Sequence, residues 1–525
     1  MAAFRKIVAY SASIALLLNA VSFSAKAQTY ETLIEQNPER AAGVYHYYEY
    51  SPSALTKAPK GYKAFYISHY GRHGSRYHTS AGLFKEAVES LGAAEKSGLL
   101  TPEGKLLKAR MDSVYAEHAG MYGMLTERGA AEHRGIAGRM FTNYSDVFKG
   151  SRNEVECVSS YWPRCLISMA NFSSALMERN GDLEFHYVTG PKYLDYISMD
   201  LDTKDVMKKA KNLRKHLRDS LVSYDRFFEA IFTDKAKAVE LVQDPRVFMD
   251  NVFVAGCISP NTQGRPDIFS HFSDSELVSL WIPRNNHLYF SFGISAEEGD
   301  YVASIAKPLI NDIVAKADAA VKPESGRAAD LRFGHDVGLL PLIGALNIKG
   351  MEERWNSLEA HRHWNAFEMM PMASNLQMIF FRNKKGDVIV KLVYNDKETS
   401  IPALKAFCGP FYKWEDLREY LVETATAITN ENIVKDGGDD IDATTGLPVI
   451  AAVTLLPGAP RTVTIDGGAG VGRVTKPGLD QPVGAAAINR VPRQMITEAL
   501  LREADAVGYG GGFAVVISIE GGEAA

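Results

Sequence analysis

A chain of 525 residues, 46% hydrophobic and 23% charged, is long enough to bury a sizeable core in two or three domains. Its net charge of −5 argues against nucleic acid as the main partner, but leaves room for a local basic pocket that takes an acidic ligand. Cys157, Cys165, Cys257 and Cys408 include no CxxC and no Cys/His cluster, so no metal is suggested. They are read as one or two disulfides at most, or as buried thiols.

Residues 1–27 have the layout of a secretory signal. Arg5 and Lys6 lead, Ile7 to Val21 is mostly apolar but short for a bilayer, and Ala25-Lys-Ala27 is a small-x-small cleavage site. The mature chain is expected to start near Gln28, in the periplasm or outside the cell, where disulfides are permitted. No later run is apolar enough to cross a membrane.

Ala64 to His69 reads as a short buried strand, which Gly71 breaks. Arg72-His-Gly-Ser-Arg76 follows, with a helix expected from about Ser80. A strand, a tight loop and a helix are where open α/β sheets place their ligands, and such a helix start favours an anion. Two arginines around an imidazole suit phosphoryl transfer. The neutral nitrogen of His73 attacks phosphorus, while Arg72 and Arg76 hold the phosphoryl oxygens and disfavour the imidazolium. The competing reading is a core histidine beside surface arginines. On these residues the chain resembles the histidine phosphatase superfamily, in its acid phosphatase and phytase branch. The string Arg-His-Gly-Ser-Arg-Tyr is most similar to that of the multiple inositol polyphosphate phosphatases.

Leu125-Thr-Glu-Arg-Gly129 resembles a Leu-Thr-x-x-Gly helix start of that superfamily, with Thr126 as N-cap. Ser80 to Gly150 is read as scaffold, and His133 as structural. At Val155 to Ser168 a strand, a turn at Trp162-Pro163 and a helix repeat the first layout. Arg164 taken alone is an ordinary surface arginine; the resemblance implies that it is the third arginine on the phosphate. Roughly 200–320 should be largely helical, and the resemblance implies an inserted helical domain over the active site. Lys204, Lys208, Lys209, Lys211, Arg214, Lys215 and Arg218 make one basic helix, read as a solvated face, or else as a rim that attracts a polyphosphate.

Leu331 to Val337 is a third strand followed by a loop and an apolar helix. His335 can bond a phosphoryl oxygen. Asp336 can protonate the leaving alkoxide and then activate water. The acid phosphatases and phytases carry His-Asp here. The inositol polyphosphate phosphatases usually carry His-Ala-Glu, whereas this chain has Val337 third. Gln377 to Tyr394 reads as a hairpin around Asn383-Lys-Lys-Gly386, and Phe407 to Tyr420 as the closing helix.

From about Thr424 the composition changes, with no Trp, Cys or His and 16 of the 43 glycines. Lys435-Asp-Gly-Gly-Asp-Asp440, Gly470 to Gly478 and Ala487 to Arg493 resemble an internal segment of the cobalt-precorrin C-methyltransferases, CbiD type. Asp466 to Gly472 is glycine-rich but fits no single nucleotide motif. The expectation is therefore α/β, a mostly parallel central sheet flanked by helices with a helical insertion. Residues 28–423 form the phosphatase, and 424–525 a truncated foreign α/β fragment without activity of its own. The expected activity is phosphomonoester hydrolysis of phytate and lower inositol phosphates. The rivals are a broad acid phosphatase on sugar phosphates and, from another class, a corrin methyltransferase. The expected partner is a small phosphorylated substrate, with neither nucleic acid nor membrane, and no cofactor or metal is expected.

Overall fold

The computed structural model describes residues 29–193 and 204–428, and beyond them the strands Thr454–Leu455, Thr462–Asp466, Ala469–Val474 and Ala514–Glu520. The signal-like residues 1–27 and most of the segment after 428 lie outside the described residues.

Strand β1 (Lys63–Arg72) carries large side chains on both faces, Tyr66 and Tyr70 on one and Ile67 on the other, all buried. Such a strand needs cover on both sides. Strands β2 (Glu154–Ser159), β3 (Glu184–Thr189) and β4 (Arg327–Gly334) run parallel to it in the order β3-β2-β4-β1. Strands β5 (Asn375–Arg382), β6 (Val388–Tyr394), β7 (Lys397–Thr399) and β8 (Phe411–Lys413) extend the sheet in antiparallel pairs beyond β1. The expected hairpin is the β5–β6 pair, and Gly386 turns it with a φ of 94°. A short turn joins only antiparallel neighbours, so half of this α/β sheet is parallel and half is a meander.

The register decides where chemistry can sit. Arg72 lies opposite Gly334, and Ser159 opposite Phe333, so β1, β4 and β2 end level with one another. The ladder continues one step further, with His73 N–H donating to Gly334 O (2.9 Å) and Ser160 N–H to Phe333 O (2.9 Å). The segments at 72–76, 160–164 and 335–336 therefore emerge at one edge of the sheet.

The longer helices are α1 (Gly82–Lys96), α2 (Pro102–Glu117), α3 (Glu127–Asn143), α4 (Pro163–Met177), α5 (Lys204–Leu221), α6 (Pro245–Ile258), α7 (Asp274–Phe292), α8 (Lys307–Ala320), α9 (Asp336–Ala345) and α10 (Trp414–Ala427). On one face of the sheet Ile136 and Met140 of α3 and Met169 and Phe172 of α4 pack with Ile67, Leu331 and Ile379. On the other face Ile310, Leu339, Leu417 and Leu421 pack with Tyr66, Tyr70, Phe380 and Val390. A separate core joins α1, α2, α6 and α7 through Phe84, Leu107, Met111, Met249, Phe253 and Trp281. Each such side chain fully buried contributes about 1.5–3 kcal/mol.

The helical body therefore has a different membership from the expected 200–320. It draws in α1 and α2, from the stretch expected to be scaffold, and it releases α8, whose Ile310 and Ile313 lie on the sheet. The four cysteines are free thiols, three of them buried, so no bridge forms.

The closing helix also runs past the expected boundary at 423. Ala425 is buried in the sheet-side core, and Lys307 Nζ donates to Ile428 O at 2.9 Å. Deleting 429–525 should leave the main melting transition unchanged. Deleting 424–525 should lower its Tm, because the last turn of α10 and its Lys307 contact are then lost. Calorimetry on the two shortened chains tests this. Equal Tm values would show that the last turn does not matter, and a loss of Tm in the longer variant would tie the segment after 428 into the fold.

Candidate active site

The loop after β1 is held at nearly every backbone group. Arg72 N–H donates to Ser374 O (2.8 Å), His73 O accepts from Ala373 N–H (3.0 Å), and Gly74 N–H reaches Ser168 Oγ (3.1 Å). Ser75 O accepts from both the N–H and the hydroxyl of Thr126, each at 2.9 Å. Thr126 is the N-cap of α3, as its sequence suggested. The loop lies directly against that helix start. A Cβ on Gly74 would stand 2.5 Å from Gly129 O, and one on Gly129 would stand 2.2 Å from Ser75 O. Only glycine at both positions permits this approach.

A residue that sequence reasoning missed completes the clamp. Glu132, one turn after Gly129, accepts from Ser75 N–H (2.7 Å), Ser75 Oγ (2.7 Å) and Tyr48 N–H (3.0 Å). Burial raises its carboxyl pKa, against those same bonds. The available signal was its position, one helical turn from a glycine that faces the loop.

The six residues named from the sequence converge at this edge. Arg72 has no solvent exposure; its Nη1 donates to Val44 O and Met370 O, both at 2.8 Å, and its Nη2 lies 3.1 Å from Asp336 Oδ2. Arg76 donates to Tyr77 O (3.0 Å), and its guanidinium lies 5.4 Å from the centre of the Tyr45 ring. Arg164 sits in the first turn of α4, 5.1 Å from the Trp162 ring. The Nε atoms of all three arginines are buried without a hydrogen-bond partner among the described residues. The His73 and His335 rings stand edge to face with centres 5.6 Å apart. His335 Nε2 is 3.0 Å from Ser160 Oγ and 3.6 Å from Cys165 Sγ.

His73 Nδ1 lies 2.9 Å from Gly74 O. A carbonyl can only accept, so Nδ1 carries the proton and Nε2 keeps its lone pair. Burial, then the charges of Arg164, Arg72 and Arg76, hold the His73 pKa well below the usual imidazole value. His335 is held down in the same way, first by burial and then by Arg164. Burial pushes the Asp336 carboxyl up, but Arg72, His335 and Arg76 together bring it below the usual carboxylate range. The site is thus a cationic pocket around a neutral, nucleophilic imidazole, with one carboxylate at its rim. His133, read as structural, is buried between Phe172 and Phe333, and burial lowers its pKa to about 3. Burial raises the Cys165 thiol to about 12, so it is not a thiolate competitor.

Residues 266–395 match the family model of the histidine phosphatase superfamily (branch 2), a range that contains His335 and Asp336. The described fold is similar to that of the Bifidobacterium longum multiple inositol polyphosphate phosphatase in complex with phosphate. The identity is 18% and the TM-score 0.60, over 73% of this chain and 97% of that one. The phytase from D. castellii gives 15% identity and a TM-score of 0.58, over 77% and 90% of the two chains. The architecture is the histidine phosphatase fold.

Residues 416–525 match a second family model, CbiD. Cobalt-precorrin-5B C(1)-methyltransferases resemble this segment. The one from Geobacillus thermodenitrificans is 56% identical over 103 residues, 19% of this chain and 26% of that protein. The one from Ruminiclostridium cellulolyticum is 52% identical over 92 residues, 18% and 23%. The chain spans about a quarter of the length of these curated relatives.

The buried neutral histidines make stability depend on acid. His133 and His78 have folded values of about 3 and about 4, with burial the main cause, against about 6.5 when unfolded. The unfolded chain therefore binds protons that the folded one refuses. Stability is complete above pH 6.5 and falls below it, by roughly 2 kcal/mol for each such histidine at pH 5. Tm should be flat above pH 7 and drop steadily from pH 6.5 to 4.5; a flat profile through that window would contradict the neutral assignment.

Proposed function

We propose that this chain is a phosphomonoester hydrolase working through a phosphohistidine at His73, with inositol polyphosphates such as phytate as substrates. The match to the histidine phosphatase model and the shared fold support a phosphatase. The observation that carries the mechanism is the His73 tautomer. Its Nδ1 is bonded to Gly74 O, and its Nε2 stays neutral inside a pocket built by Arg72, Arg76 and Arg164.

The three guanidiniums hold the phosphoryl oxygens and offset the charge that develops on them. His73 Nε2 attacks phosphorus as the bond to the ester oxygen breaks. Asp336 gives its proton to the departing alkoxide. Water then attacks the phosphohistidine, Asp336 takes the water proton, and His73 leaves as the neutral imidazole with inorganic phosphate as product. His335 holds a phosphoryl oxygen beside them.

The inositol polyphosphate preference is supported by the loop string Arg72-His-Gly-Ser-Arg-Tyr77. It is also supported by the similarity to the Bifidobacterium longum multiple inositol polyphosphate phosphatase in complex with inositol hexasulfate, at 18% identity and a TM-score of 0.59. A broad acid phosphatase would use the same residues, and a substrate panel separates the two. The signal-like residues 1–27 support an exported enzyme, periplasmic or secreted. The catalytic unit is 29–428, and the CbiD-like segment is assigned no part in the reaction.

His73→Ala should lower turnover by about four orders of magnitude or more, and acid-labile phosphate trapped on the parent protein should be absent from the variant. Near-normal turnover would overturn the mechanism. Asp336→Asn should cost about 10²–10⁴-fold on phytate, whose alkoxide needs a proton, and much less on nitrophenyl phosphate, whose phenolate does not. Equal losses on both substrates would remove Asp336 from the acid role.

A further inference from the structure

The two histidines of the pocket are fixed by different neighbours. His73 gives its Nδ1 proton to Gly74 O and keeps the Nε2 lone pair. In His335 it is Nε2 that is engaged, 3.0 Å from Ser160 Oγ. Ser160 is the first residue after β2 and is buried, with 1% of its surface open. Its N–H donates to Phe333 O (2.9 Å), and its carbonyl accepts from Ser159 Oγ (2.8 Å). The hydroxyl is therefore brought to His335 by the continuation of the β2–β4 ladder, not by a free loop.

Which of the two groups donates follows from the protons available. Burial, then the charge of Arg164, keeps His335 neutral, so its ring carries one proton for two nitrogens. The Cys165 thiol flanks the same ring, 3.6 Å from Nε2 and 3.9 Å from Nδ1. Burial keeps that thiol protonated, and its one proton has Gly334 O at 3.4 Å. A neutral sulfur is a weak acceptor. If Nε2 carried the ring proton and gave it to Ser160, the buried serine proton would be left, among the described residues, with that sulfur as its acceptor. With the serine donating to Nε2, the hydroxyl proton meets a strong acceptor, and the ring proton sits on Nδ1.

The chemistry of the pocket needs this tautomer. A phosphoryl oxygen of the dianion can only accept, so a neutral His335 holds it through an N–H and through nothing else. With Nε2 closed by Ser160, that N–H is at Nδ1. The two rings, edge to face with centres 5.6 Å apart, are then complementary. His73 offers a lone pair to phosphorus, and His335 offers a proton to one of the oxygens on which charge develops. Without the serine, the His335 proton can sit on either nitrogen. The share of molecules protonated at Nε2 would present a lone pair where the oxygen needs a donor.

We propose that Ser160 is a positioning residue of the hydrolysis, which donates to His335 Nε2 and so sets the tautomer in which His335 Nδ1–H holds a phosphoryl oxygen. This rests on the phosphatase reading and adds to it a residue that acts only through another. Its effect belongs to the transferred phosphoryl group and not to the leaving alcohol, so it differs in kind from that of Asp336.

The test uses the full chain with isotope-labelled histidine, and the variants Ser160→Ala, His335→Gln and the two combined. Nitrogen NMR near neutral pH reads the tautomer, with the His335 signal assigned by its loss in His335→Gln. The parent is expected to be protonated at Nδ1, and Ser160→Ala to show protonation at Nε2. In Ser160→Ala, kcat/KM should fall about tenfold, equally for phytate and for nitrophenyl phosphate, a change of about 1.4 kcal/mol. Removing the same hydroxyl from His335→Gln should cost little more, because its effect passes through that ring. A parent protonated at Nε2 overturns the proposal, and this spectrum decides the matter even where Ser160→Ala fails to fold. The same loss from Ser160→Ala in both backgrounds makes the serine a purely structural residue and also overturns it. A loss confined to phytate attaches Ser160 to the proton donor instead, and the proposal is again wrong. Each of these outcomes leaves the phosphatase standing, whereas parent protein that hydrolyses neither substrate overturns both.

Discussion

Arg72 is a guanidinium without solvent exposure, and the pocket is arranged around that condition. An arginine does not shed its proton in a protein, so its charge has to be met by neighbours or the burial costs several kcal/mol. The neighbours come from three distant parts of the chain, Val44 O, Met370 O and the Asp336 carboxylate. Meeting the charge therefore brings the segment before β1, the approach to β5 and the start of α9 to one point. Level strand ends then set the remaining residues beside it, His73 after β1, Arg164 after β2 and His335 after β4. Burial acts to lower the Arg72 pKa and Asp336 to restore it.

Much of this was legible because it is local. Arg72, His73 and Arg76 follow one strand, Arg164 opens one helix, and His335 and Asp336 cap another, each within a short string. Glu132 was not legible, since it acts on the backbone of Ser75 across a gap in sequence and looks like any acidic residue of a surface helix. The membership of the helical body was not legible for the same reason. The helix pattern of α1 and α2 was visible, but their partners are residues such as Phe228 and Met249 far along the chain, and periodicity names a buried face without naming what buries it. The basic character of α5 was visible too; that Arg214 shares Asp250 with Arg284 was not.

The far boundary shows composition and packing disagreeing. The residue usage changes near Thr424, and the CbiD match begins at 416, inside α10. Packing places the end of the sheet-bearing unit later, where Ala425 is buried and Ile428 O meets Lys307. Ala425 is small and could belong to either composition, so only its neighbours reveal its side. The described strands beyond it form a sheet of their own, with Thr462–Asp466 and Ala514–Glu520 parallel and Ala469–Val474 antiparallel to the latter. None of their ladders joins the sheet that carries His73.

Asp336 carries opposed demands under the proposed mechanism. As the acid it must hold a proton, yet Arg72 stands 3.1 Å away and the carboxyl opens α9, where the helix dipole also favours the charged form. In the free protein both effects make it a better base than acid. A phosphate dianion entering the pocket reverses this, because it takes up the charge of Arg72 and adds negative charge beside the carboxylate, and both changes raise its affinity for a proton. The proton is then held when the alkoxide leaves. Once the alcohol has departed and the phosphoryl group is on His73, the carboxylate is again beside Arg72 and suited to take a proton from water. Val337, partly buried against the apolar core on that side of the sheet, has no proton to give, so of the two residues after His335 only Asp336 can serve as the acid. The carboxylate at 336, beside Arg72, is therefore the one whose proton affinity the substrate itself can switch.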